Sequence, residues 1–455
     1  MSATLAAAAP HDGLTGAPRA RAMFAIALSV LLSVLDYAIV NVALPTIAHD
    51  IHASPAAAIW VVNAYQLASL ISLLPLAALG ERIGHARLCR IGLVLFVIAS
   101  LLCAASRTLP ELTAARALQG FGGACIMSVN AALVRYIYPA KQLGRGIALN
   151  GMVVAAGVAL GPTVAAAVLS FAGWQWLFLI NLPLGGAALY FALTSLPATP
   201  RTPGRFDAAG TVLLAIGLGA TITGLDGIAH AATLNQSLPL LALGLGALTL
   251  LVRHQLTRTD PLLPLDLLAR PGFRTAFLTG FTGFVASNFF IIPFPFELMD
   301  QLHRGPVATG LLLTPWPVAI IIIGPLVGRL SDRLPAATLS TIGLAITGTG
   351  FLLLRLLPPN PTNAEIAWRI YLAGTGFGLF QPPNNKAMIT TAPKSRTGSA
   401  SGMISVARLA GQTFGGMFSA LTLGLVASNP NAACLTLAAG TAYLAAAISA
   451  SRLRA

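Results

Sequence analysis

The sequence predicts an all-α polytopic membrane protein built from two six-helix bundles with two further helices inserted between them, 14 transmembrane helices in all. Three observations carry that expectation. Of the 455 residues 56% are hydrophobic and only 9% are charged; apolar stretches of membrane length recur along the whole chain; and the basic residues gather on alternate connections. A water-facing surface needs far more charge than 13 acidic residues supply, so lipid is the solvent for most of the chain.

A bilayer core of about 30 Å takes roughly 20 apolar residues per helix. Such stretches fall at 23–45, 57–79, 88–106, 110–135, 147–171, 176–196, 207–228, 237–253, 274–297, 307–328, 336–357, 365–385, 402–427 and 432–450. With the N-terminus inside, 21 of the 27 Arg and Lys residues lie on cytoplasmic segments, and only Arg107, Arg304 and Arg355 lie outside. This is the positive-inside pattern, which puts both termini in the cytoplasm of a bacterial-type inner membrane. The formal charge of +14 therefore concerns topology and not a nucleic-acid partner. Residues 1–22 lack the short apolar region and small-residue site of a cleaved signal peptide, so span 1 is expected to be retained. Cys89, Cys103, Cys125 and Cys434 show neither pairing nor metal-ligand spacing and read as small core hydrophobes.

The chain also repeats itself. Glu81-Arg82 after span 2 returns as Asp332-Arg333 after span 10, 251 residues later. Gly120-Phe121-Gly122 in span 4 returns as Gly376-Phe377-Gly378 in span 12 at an offset of 256, and Gly157/Gly161 in span 5 as Gly411/Gly415 in span 13 at 254. Each match moves by eight spans, which gives a repeat of six with spans 7 and 8 between the copies. The expected layout is a tail at 1–22, a first bundle at 23–200, the inserted pair at 201–270, a second bundle at 271–450 and a short tail at 451–455.

Asp36 lies deep in span 1, where a carboxylate costs on the order of 2.5–3.5 kcal/mol and must face a partner or a cavity. Counting 1.5 Å per residue, it sits about 21 Å from the cytoplasmic face, while Arg116 sits about 10 Å in from the outer face of a 30 Å core. Equal depth makes them partners, either as a permanent ion pair pinning spans 1 and 4 or as a proton site. As a proton site, an approaching Arg or a cationic ligand would compete with the proton for one acid. Glu81, Arg82, Asp332 and Arg333 are either solvated topogenic charges or a conformational latch. Gly157, Gly161 and Pro162 in span 5, and Gly411 and Gly415 near Arg408 in span 13, permit close helix approach. Polar and aromatic residues within spans are candidates for an amphipathic substrate cavity. In the first half these are Tyr37, Asn41, Gln66 and Gln119 beside Asp36; in the second, Asn288, Phe289, Trp316, Gln381 and Asn385.

Several of these stretches together resemble the fourteen-span drug/proton antiporters of the major facilitator superfamily. They are Leu35-Asp36 through Val40 to Pro45, Gly80 to Arg87, Arg116 to Ala124, Gly157 to Pro162 and, most specifically, Gly173-Trp174-Gln175-Trp176 through Asn181 to Gly185. Gln381-Pro382-Pro383-Asn384-Asn385, with Trp316 between two prolines, is similar to members that export methyl viologen and quaternary ammonium compounds. The resemblance implies the major facilitator fold, a role for Arg116 in proton transfer and export of drugs against protons. Spans 10 and 13 hold no acid, which weighs monovalent or neutral amphipaths over divalent cations.

The function expected is a proton-coupled secondary transporter, not an enzyme, that exports hydrophobic compounds, cationic ones foremost, by alternating access. An exporter of a metabolite, peptide or sugar is the alternative on the same fold. No Walker loop is present, so the expected drive is the proton gradient without a cofactor. The expected partners are small amphipathic or cationic substrates, protons and the lipid bilayer, and the expected state is a monomer. A proton-pumping respiratory subunit would need midplane lysines, yet Lys141, Lys386 and Lys394 all fall in loops. An intramembrane haem protein or enzyme would need paired histidines or dyads within spans, and the seven histidines sit in loops, tails or span ends.

Overall fold

The computed structural model describes residues 13–139, 142–201, 206–229, 234–258, 261–331, 333–393 and 396–453. A helix occupies every stretch expected to span. In order they are α1 (Gly16–Asp50), α2 (Pro55–Ile83), α3 (His85–Ala105), α4 (Leu109–Ile137), α5 (Leu143–Leu169), α6 (Gln175–Ser195) and α7 (Ala208–Ala229). Then follow α8 (Leu234–Leu256), α9 (Pro271–Gln301), α10 (Pro306–Leu330), α11 (Ala336–Arg355), α12 (Asn363–Thr391), α13 (Thr397–Leu425) and α14 (Pro430–Ala450). Among the described residues, 12 helices are long and apolar enough to cross a membrane, and α12 and α13 fall outside that set although each is 29 residues long.

Local chemistry sets the helix ends, and some of it repeats. Thr108 and Glu111 form a reciprocal capping box at the start of α4, and Thr362 and Glu365 form the same box at the start of α12, each satisfying donors that a helix N-terminus leaves free. The reversal between α2 and α3 turns on Gly84, whose φ of 99° strains any side chain with a Cβ. Pro293 and Pro295 break α9 near its end, and the last turn, Glu297–Gln301, is π-helical.

The packing repeats more completely than the sequence does. α1 lies against α4, α5 and α6, α3 against α4 and α6, and α2 against α4; eight helices later α9 lies against α12, α13 and α14, α11 against α12 and α14, and α10 against α12. α7 and α8 pack on each other, and α7 also touches α2 and α13. Between the halves, α2 meets α13 and α5 meets α10.

Across that interface, residues one repeat apart face each other. The Tyr37 hydroxyl donates to Asn288 Oδ1 at 3.3 Å, Thr46 Oγ1 approaches Met299 Sδ at 4.0 Å, and His49 Nε2 meets Asp300 Oδ1 at 2.9 Å, with sequence separations of 251, 253 and 251. Equivalent positions meet in this way only near a two-fold axis, as in an isologous dimer contact. At the end opposite the chain termini one apolar core runs continuously through both halves, from Ile39 and Ile47 to Phe290 and Leu312. Towards the termini the first half has its own core, around Phe96 and Leu133, and the second half another, around Phe273 and Met388. There the halves meet where Leu70, Leu73 and Leu409 gather with Leu214, Leu218 and Leu251 of the inserted pair. α5 and α10 touch at Thr163 and Thr314, 3.4 Å apart, whereas Gly151, Gly324 and Gly328 nearer the termini have nothing within 4 Å of a Cβ.

The glycine pairs sit at close helix crossings. A Cβ on Gly161 would strike Ala38, and one on Gly157 would lie 3.1 Å from Val34; one on Gly411 would lie 2.5 Å from the Phe281 carbonyl oxygen, and one on Gly415 2.8 Å from Asn288 Cβ. Thus α5 seats on α1 as α13 seats on α9. Gly411→Leu is expected to destabilise by roughly 1–3 kcal/mol through overpacking, whereas Gly219, with nothing within 4 Å, tolerates the same change. Melting of the purified variants in detergent checks this: a clear drop for the first and none for the second.

Candidate functional site

The deepest polar cluster is built on α1. Asp36 is 1% exposed, and Arg116, Gln119 and Asn181 are all 0%. Arg116 Nη1 donates to Asp36 Oδ2 at 2.5 Å, while Gln119 Nε2 and Asn181 Nδ2 donate to Oδ1 at 2.9 and 2.7 Å. The cluster closes on itself: Arg116 Nε donates to the Val61 carbonyl at 2.9 Å, Arg116 Nη1 to Gln119 Oε1 at 2.5 Å, and Gln119 Nε2 to Ser100 Oγ at 2.8 Å. The guanidinium carbon lies 4.5 Å from the Tyr65 ring centroid and 5.7 Å from that of Phe178, a cation–π seat, and Nη2 makes no hydrogen bond among the described residues. Stranding either charge by removing its partner costs about 3–5 kcal/mol in such a setting.

All of these partners belong to α2, α3, α4 and α6. Asp36 and Gln119, expected on the wall of a substrate cavity, instead point into the first half's own core. The next residue, Tyr37, turns the other way and meets Asn288 across the interface. Asn41 Nδ2 caps the Tyr37 carbonyl at 2.8 Å, its Oδ1 has no partner, and Gln66 is fully buried with neither amide atom hydrogen-bonded. In the second half, Trp316 is 5% exposed and belongs to an aromatic stack with Phe290, Phe351 and Phe377 at 5.4, 5.8 and 5.3 Å. It therefore fills core rather than lining a cavity, and Phe289 is likewise buried, 6.5 Å from Phe418. Gln381 and Asn385 are half-buried on α12.

Of the expected latch, Glu81, Arg82 and Arg333 are described and exposed, and no ion pair joins them among the described residues; Asp332 lies outside the described residues. Arg408, expected simply beside a glycine face, is half-buried on α13 and forms no hydrogen bond or ion pair with any described residue. Sequence reasoning missed Asn181, Ser100 and Tyr65 as members of the Asp36 cluster. Asn181 carried the one usable signal, an amide just after the break at Ile180 within an apolar helix.

Comparison with known proteins fits this architecture. The model of the Major Facilitator Superfamily matches residues 26–416. The chain is 46% identical over 448 residues to the uncharacterized transporter YebQ of Escherichia coli, covering 97% of each protein. It is 30% identical over 396 residues to the multidrug efflux pump LfrA of Mycolicibacterium smegmatis, covering 87% of this chain and 79% of LfrA. A crystal structure of a POT family transporter in complex with 5-aminolevulinic acid superposes with a TM-score of 0.74 at 16% identity, covering 98% of this chain and 97% of that one, which speaks for the fold alone. The chain belongs to the major facilitator superfamily and is a membrane-embedded transporter.

Proposed function

We propose that this protein is a proton-coupled exporter of hydrophobic amphipathic compounds, drugs among them, working by alternating access between two six-helix halves. All fourteen helices span the membrane in this reading, both termini are cytoplasmic, and the proton gradient of a bacterial inner membrane drives the cycle without a cofactor. Kinship with an efflux pump supports export, and the recurrence of the helix packing eight helices later supports two halves that rock about a common axis.

The observation that carries the coupling is the Asp36–Arg116 pair, buried at membrane depth. Protonation of Asp36 removes one charge from the pair and leaves Arg116 held by the Gln119 and Val61 oxygens, so the α1–α4 contact loosens without exposing a bare guanidinium. Because α1 also carries Tyr37, Thr46 and His49 on the interface, a change in its seating is felt directly where the halves touch. A cationic cargo was expected both from the resemblance to quaternary ammonium exporters and on the premise that Asp36 faces it; the carboxylate, turned into the first half, does not support the second of these.

Asp36→Asn should abolish export driven by a pH gradient in energised vesicles. Since it strands Arg116, the paired Asp36→Asn/Arg116→Gln variant, with no unpaired charge, serves as the folded control and should be equally inactive. Export that survives in the paired variant would remove Asp36 from the mechanism. Joining His49→Cys to Asp300→Cys with a short bifunctional thiol reagent should likewise arrest transport. Undiminished turnover after complete cross-linking would mean that the end opposite the termini need not open.

A further inference from the structure

Arg408 is the charge that the coupling pair does not explain. It lies on α13 six residues inside the expected span 402–427, about 9 Å from the cytoplasmic face of a 30 Å core at 1.5 Å per residue. Arg408, Gln412 and Gly416 form one i, i+4, i+8 stripe, and a Cβ on Gly416 would strike the Asn63 side chain of α2, while Gly402 faces Leu74. Arg408 therefore stands between these two contacts, on the α13 stripe turned towards the first half.

No carboxylate among the described residues pairs with it. Asp36 is occupied by Arg116, Gln119 and Asn181, and Asp226, Glu297 and Asp300 sit at the end of the molecule opposite the termini. A guanidinium does not shed its proton in proteins, and an uncompensated charge at this depth is costly. Gln66 is 0% exposed, its amide beside the Tyr37 hydroxyl, and neither its amide atoms nor Asn63 Oδ1 complete a well-formed hydrogen bond among the described residues. Leu67, Ile71 and Phe414 supply apolar surface at the same α2–α13 contact.

We infer that the α2–α13 contact at Arg408, where that side chain stays only half-buried, is a binding site for an amphipath carrying one acidic group, whose carboxylate pairs with Arg408 while a neutral polar group meets Gln66. The proposal rests on the transport reading and sharpens it: the cargo charge is negative. Arg408 offers a planar fork of donors that matches a carboxylate, and the amide of Gln66 supplies both a donor and an acceptor. A cation in the same space would meet an unscreened like charge in a low dielectric.

The test is direct binding to the purified protein in detergent, read by fluorescence anisotropy, with fluorescein as the aromatic carboxylate and ethidium as the aromatic cation. Fluorescein should bind the wild-type protein, be displaced by naphthoate and not by ethidium, and bind Arg408→Gln at least tenfold more weakly, with Arg408→Lys in between. The empty Arg408→Gln protein should melt no lower than wild type, because the side chain holds no internal partner to lose. The inference is overturned if ethidium binds in preference to fluorescein, if neither binds, or if Arg408→Gln binds fluorescein as wild type does. Binding needs no proton gradient, so a loss of charge selectivity here is separable from a failure of coupled export in vesicles.

Discussion

Inside a bilayer a charge must be met by an opposite charge, by fixed dipoles or by water, and that constraint organises this molecule around Asp36. The first half meets it with a closed cluster in which Arg116, Gln119 and Asn181 converge on one carboxylate and the Tyr65 ring covers the guanidinium. Four helices contribute to it, so the cluster sets how α1 seats against α3, α4 and α6. Any change in the charge of Asp36 is a change in that seating.

The second half repeats the packing but not the chemistry. Phe351 stands 251 residues after Ser100, and the space around it is filled by Trp316, Phe290 and Phe377. An aromatic stack holds its shape by dispersion and edge contacts and has no protonation states to switch between. One half is thus built to change and the other to stay, joined along α1–α9, α2–α13 and α5–α10. Arg408 projects from the second half towards the first, so in the proposed reading the cargo's charge and the proton's would lie on opposite sides of the same interface.

Much of this was legible in the sequence because membrane length, basic loops and glycine spacing report directly on helices, sides and close crossings. All fourteen helical stretches are where the hydropathy places them, and Asp36 and Arg116 pair as their depths imply. What the sequence hid was direction. α1 is buried almost all round, so no amphipathic stripe says which way Asp36 points, and its neighbour Tyr37 faces the interface instead. Trp316 between prolines suggested a cavity wall, but aromatic residues from three other helix segments close over it. Asn181 and Ser100 join the cluster only through the way α6 and α3 cross α1, which no local pattern records.

The claim on which the account turns is that Asp36 itself takes up and releases the coupling proton. Infrared difference spectra, recorded as substrate is added to the purified protein in weak buffer, would report this carboxyl directly. The account predicts that the protonated-carboxyl band changes intensity on substrate addition in wild type and that this change is missing in Asp36→Asn. A band that is silent in wild type, or that responds equally in Asp36→Asn, would contradict it.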